Sequence, residues 1–106
     1  MPPVLRNLWS LVLVGAGVAG SYAYAADAEH GADLAKRWCM TCHVVDAGQK
    51  QASADVPPFA VIAQRSDFTP EKVAFFLLDP HPKMPSFPLT RSEAADLAAY
   101  IGSLRK

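Results

Sequence analysis

From Asp27 to about Thr41 the chain repeats apolar residues one helical turn apart. Leu34, Trp38 and Cys42 make a stripe, with Gly31 and Ala35 on a neighbouring line. Residues four apart share a helix face, so this spacing predicts a helix that buries one side. Asp27 stands where an N-cap is needed, and Glu29 puts negative charge beside the unpaired first-turn amides. His30 reads as a solvated residue of that turn. The small pair Gly31 and Ala35 would admit a second helix at close range, although a glycine near a helix start needs no such partner. A short helix is expected over Phe59–Gln64, with Phe59, Ile62 and Ala63 inward. Thr69-Pro70-Glu71-Lys72 joins a capping threonine, a proline at the first helical position and an acid, which opens another helix. Val73, Phe76 and Leu77 form its face, and Phe75 and Leu78 make it apolar nearly all round, the pattern of a helix buried on most sides. It should stop at Asp79, because Pro80 disfavours helical geometry in the residue before it. Thr90-Arg91-Ser92-Glu93 has the form of a capping box. Ala94, Leu97, Ala98, Ile101 and Leu104 then share one helical face, with Tyr100 adjoining. No convincing strand is present.

The first 25 residues follow a different pattern. Arg6 is the one charge before Asp27, an apolar run extends from Leu8 to about Gly20, and Ala23-Tyr24-Ala25 has the small-x-small form of an export cleavage site. Residues 1–25 are therefore expected to be a signal peptide and residues 26–106 the functional domain, delivered to the periplasm. The competing reading is an uncleaved anchor, since Leu8 to Ala26 carries no charge for 19 residues, close to the ~20 that span a bilayer. Glycines, Ser21 and tyrosines dilute its final third. Either way the domain lies outside the cytoplasm.

The 106-residue chain balances 10 basic against 10 acidic residues, and without Arg6 the remainder is one charge negative. That leaves no basic excess for nucleic acid and little long-range steering toward a partner. Eighty-one residues also bury a limited core.

The candidate chemistry begins at Cys39-Met40-Thr41-Cys42-His43. Two cysteines three apart, with a histidine directly after, form the c-type haem attachment pattern. Both sulfurs fall on one side of a helical turn, in reach of the two vinyl groups at one porphyrin edge. His43 follows them and is placed to reach the iron. The other readings are a thioredoxin-type dithiol, which belongs near a βαβ pattern, and a zinc site, for which only His30, His43 and His81 are at hand without finger spacing.

Two loops bear on the site. After the polar stretch Val44–Asp55 comes Val56-Pro57-Pro58-Phe59. A metal-bound histidine donates its other ring N–H to a carbonyl or carboxylate. Pro57 offers such a carbonyl and Phe59 a ring to pack on the haem, or the prolines simply turn the chain into a helix. Asp79–Leu89 holds Pro80, Pro82, Pro85 and Pro88, which fix φ and forbid a regular helix. Met84 in this stiff loop is the candidate axial ligand by elimination. Met1 is expected to be removed, and Met40 lies on the histidine side of the ring. His81, in the same loop, is the competitor. Phe87 either covers the haem edge near Met84 or is an ordinary core residue.

Taken together, these residues resemble the small bacterial monohaem class I cytochromes c. The likeness rests on Gly31 and Leu34, the Cys39–His43 motif, Pro57-Pro58-Phe59, the loop from Asp79 to Pro85, and Leu97-Ala98-Ala99-Tyr100-Ile101. It implies an all-α fold whose helices wrap one covalently bound haem c, with thioethers from Cys39 and Cys42 and axial ligands His43 and Met84 on the iron. It further implies that Pro57 accepts the His43 ring N–H and that the terminal helices cross at Gly31 and Tyr100. Ala35 departs from the family, which often has an aromatic residue there.

The implied function is periplasmic one-electron transfer, without enzymatic activity of its own. The implied partners are redox proteins: a dehydrogenase, an oxidase or a membrane respiratory complex. Nucleic acid is excluded as a partner, and a membrane enters only if the leader is kept. The alternatives are a haem-based gas or redox sensor with a labile sixth ligand, and a cytochrome subunit of a larger dehydrogenase. Lys36, Lys50 and Lys83 either help dock an acidic partner or are solvated charges.

Overall fold

The structure is a computed structural model that describes residue 15 and residues 25–53, 55–79 and 83–106. Four helices follow in order: α1 Ala28–Trp38, α2 Phe59–Ala63, α3 Pro70–Leu78 and α4 Arg91–Ser103. Among the described residues there are no strands, so the fold is all-α. The expected leader lies outside the described residues, save Gly15 and Ala25, as do Pro80, His81 and Pro82. No helix of the described residues is long and apolar enough to cross a membrane.

Each helix start matches its local chemistry. The Asp27 carboxylate accepts the His30 amide at 3.0 Å, and the Thr69 hydroxyl accepts that of Lys72 at 3.1 Å, with Pro70 at N1. Thr90 and Glu93 close a full capping box, at 3.0 Å for the Glu93 amide and 2.9 Å for the Thr90 amide. Asp79 has extended backbone angles, as a residue before proline prefers, and α3 stops there. α1 ends three residues before Thr41. The Cys39 and Met40 amides both turn to the Ala35 carbonyl, at 2.8 and 3.1 Å, so the regular ladder breaks and the Cys39–His43 segment becomes a turn.

α1 and α4 cross at Gly31. A Cβ there would run into the Asp96 carbonyl and the Tyr100 Cβ, so only glycine allows this approach. The core beneath the crossing gathers Leu34, Ala35, Cys39, Val45, Phe59, Ala63, Leu97 and Ile101. The predicted stripe changes at its end: Cys39 is buried and Cys42 exposed.

Two expectations need correction. α3 is not buried on most sides, for none of its residues is buried and Phe75, Phe76 and Leu78 are exposed. One side meets α4, while Val73, Phe76 and Leu77 face a cavity, so neighbouring helices cover only part of it. His30 is not a merely solvated residue either. Its Nδ1 lies 2.7 Å from a carboxylate oxygen of Asp96, whose other oxygen accepts the Asp27 amide at 2.7 Å. Asp96 is only 7% exposed. Burial works against its charged form, yet the bonds from His30 and Asp27 outweigh this and hold its pKa below the usual carboxylate value. His30 is raised in return, first by the hydrogen bond to Asp96.

Candidate functional site

Helices α2, α3 and α4, with the segments that join the helices, surround a cavity of about 520 Å³, within the range of cofactor pockets, roughly 300–1,000 Å³. Cys39, Cys42 and His43 line it from the turn after α1, and Met84 and Pro85 from the segment before α4. The remaining wall is largely apolar: Phe59 and Ile62 of α2, Val73, Phe76 and Leu77 of α3, Leu97 and Ile101 of α4. Arg65, Asp67, Lys72, Lys83 and Asp55 supply its charge. The Arg65 Nε lies 3.3 Å from the Asp67 carboxylate, and the Lys72 ammonium donates to the Asp67 carbonyl at 3.4 Å. The hydrogen bond from Arg65 holds the Asp67 carboxyl below its usual range.

His43 is held from one side. Its Nδ1 lies 2.6 Å from the Pro57 carbonyl oxygen. A carbonyl only accepts, so Nδ1 carries a proton, which leaves Nε2 as the nitrogen with the lone pair in the neutral ring. The Phe59 ring sits 5.1 Å from the imidazole, and the Phe59 amide donates to the Val44 carbonyl at 2.9 Å, locking the two segments together. Pro57 and Phe59 both line the cavity. Phe87 does not. It packs on Trp38, ring centroids 5.6 Å apart, and the Arg37 guanidinium lies 5.0 Å from the Trp38 ring centre.

Burial pushes the Cys39 thiol up to about 11, with Cys42 adding to the effect. A reactive dithiol needs the opposite shift, toward the thiolate. Among the described residues no three or more His, Cys, Asp or Glu side chains gather as a metal cluster. The donor set in the cavity is instead two thiols, one imidazole whose Nδ1 proton is held by a carbonyl and one thioether, amid apolar walls. That set fits a covalently attached haem.

Gln49, Arg65 and Asp67 carry no motif signal in the sequence, and Lys72 reads there only as part of a helix start. Gln49 stands in a polar loop, and its role depends on carbonyls that carry no residue signature. Lys83 lines the cavity, whereas Lys36 and Lys50 are exposed and outside its wall.

Residues 26–101 match the family described as "Cytochrome C oxidase, cbb3-type, subunit III". A curated relative from Bradyrhizobium diazoefficiens, named "Cytochrome c-552", is 72% identical over 101 residues, 95% of each chain. No solved structure matches the chain. With the attachment motif on the wall of an apolar cavity, these matches settle the family: the chain belongs to the cytochromes c, as a small monohaem electron carrier with covalently bound haem c.

Proposed function

We propose that the protein is an exported one-electron carrier with haem c joined to Cys39 and Cys42 and ligated by His43 and Met84. The observation that carries the reading is the 2.6 Å contact of His43 Nδ1 with the Pro57 carbonyl, in a cavity that also takes Met84 and both cysteines. When bound, the haem supplies a one-electron iron couple. Pro57 keeps the His43 proton on Nδ1, so Nε2 presents a lone pair without tautomer exchange. Phe59 backs the imidazole and resists its rotation. Met84 belongs to a segment whose Pro85 and Pro88 restrict the backbone, so less backbone entropy is lost when the thioether is presented to the cavity. With both His43 and Met84 holding the iron, no position would be left for substrate. A thioether in partnership with histidine would also favour a higher potential than a second histidine. Ile62, Val73, Leu97 and Ile101 keep water from the cavity and favour the less charged oxidation state.

Residues 1–25 act as the export leader in this reading, and residues 26–106 work in the periplasm. The partners are redox proteins, a dehydrogenase or respiratory complex on one side and an oxidase or reductase on the other. The matched family's description names an oxidase subunit, which makes an oxidase the first acceptor to test. Met84→Ala should lower the reduction potential and let carbon monoxide bind the ferrous protein on mixing, while the parent protein resists it. Rapid binding to the parent would favour a gas sensor. An unchanged potential and spectrum in Met84→Ala would move the sixth ligand to His81.

A further inference from the structure

We infer that Gln49 is the positioning residue of the attachment turn, clamping the backbone on both sides of His43. The inference rests on His43 being the iron ligand proposed above. Its side-chain oxygen accepts the Val45 amide at 2.9 Å. Its nitrogen donates to the carbonyls of Met40 at 2.9 Å, His43 at 2.8 Å and Gln51 at 3.1 Å. A carboxamide has two N–H groups, so one is shared.

These groups need a partner. The end of a helix leaves carbonyls without intrahelical donors, and the break after α1 extends that deficit through the turn. Gln49 takes the carbonyl at its second residue and the one at its last. It also takes the amide of Val45, so the chain is gripped before and after His43. That grip sets the direction of the His43 Cα–Cβ bond, which Pro57 alone, bonded at the ring, does not.

The clamp is itself aimed. The Asp46 carboxylate accepts the Gly48 and Gln49 amides at 2.9 and 3.0 Å, a tight turn that folds Gln49 back over the motif. On the other side the Tyr100 hydroxyl donates to the Val45 carbonyl at 2.6 Å. Gln49 therefore links the attachment turn to α4 through a single residue.

The test uses ¹⁵N-labelled ferrous holoprotein. Gln49→Glu keeps the size and the acceptor for Val45 but loses both donors, and Gln49→Leu loses all of them. Solvent exchange of the His43 Nδ1–H should rise about tenfold in Gln49→Leu, as expected for one net hydrogen bond. It should rise at least as much in Gln49→Glu, whose second carboxylate oxygen would face the carbonyls of Met40, His43 and Gln51, and the potential should shift in both variants. Core amides of α4, such as that of Leu97, should exchange as in the parent. If His43 exchange is unchanged, or rises only in step with the α4 amides, Gln49 is merely structural and the inference fails. A parent spectrum without a haem-shifted His43 ring signal would overturn the ligation, and this inference with it.

Discussion

Gly31→Ala should destabilise the protein, whereas Gly102→Ala, the same change on α4, should not. At Gly31 the new methyl group would meet the Tyr100 Cβ at 2.8 Å, against the 3.4 Å where ordinary contact begins, and would also strike the Asp96 carbonyl. Both neighbours are fixed to the α4 backbone, so the helices must separate by at least about 0.6 Å. A gap of that size forfeits about a quarter of the contact energy across it. For a leucine with ~40 contacts of ~0.1 kcal/mol each, that is about 1 kcal/mol. Leu34 and Leu97 both lie in the core under this crossing, so the loss approaches 2 kcal/mol before the carbonyl clash is counted. Better helix propensity returns at most about 1 kcal/mol. The net cost is about 1–3 kcal/mol, typical of overpacking. At Gly102 the methyl group would touch the Phe68 ring at 3.5 Å, an ordinary contact, so the propensity gain stands alone. Thermal unfolding of the holoproteins, followed by circular dichroism, should separate the two variants by roughly 8–32 °C, for a stability difference of about 2–4 kcal/mol. A Gly31→Ala protein that melts at or above the parent would refute the close crossing.

The His30–Asp96 pair gives a pH dependence with a definite sign. His30 is raised above its ordinary 6.5, so its contribution is complete below that pH and fades as pH rises through the raised value. Asp96 is lowered from 3.8, so its contribution is complete above that pH and fades as pH falls through the lowered value. The pair therefore supports the fold most between these two pH values. Melting temperatures of His30→Gln and the parent should converge as pH rises through the raised His30 value, and parallel curves from pH 5 to 9 would remove the pair from the account. Thr90→Ala breaks the capping box of α4 and should cost about 1 kcal/mol in urea unfolding; no loss would mean that water replaces the cap.

Much of this fold is written locally. Thr69-Pro70, Thr90 with Glu93, and Asp27 each announce a helix start within four residues of chain, and the structure places starts there. The Cys39–His43 motif is likewise local, as its chemistry depends on spacing within one turn. The features missed depend on distant partners. His30 and Asp96 are 66 residues apart, and neither neighbourhood hints at the other. Val45 is 1% exposed inside a stretch whose composition reads as a surface loop, because Tyr100 and Gln49 satisfy its backbone. Phe87 stands against Trp38 instead of the cavity, a choice that loop path decides and periodicity cannot. The apolar pattern of α3 predicted burial by protein, yet part of that surface faces the cofactor cavity and Phe75 faces solvent.

The central claim is that Met84 supplies the second axial ligand in this cavity. Proton NMR of the ferrous holoprotein with labelled methionine methyls tests it directly. A thioether bound over the face of the ring is strongly shielded, so one methyl signal should lie far upfield. It should vanish in Met84→Leu, while the Met40 signal keeps an ordinary shift. A ferrous protein with no shielded methionine methyl, or one that persists in Met84→Leu, would contradict the account.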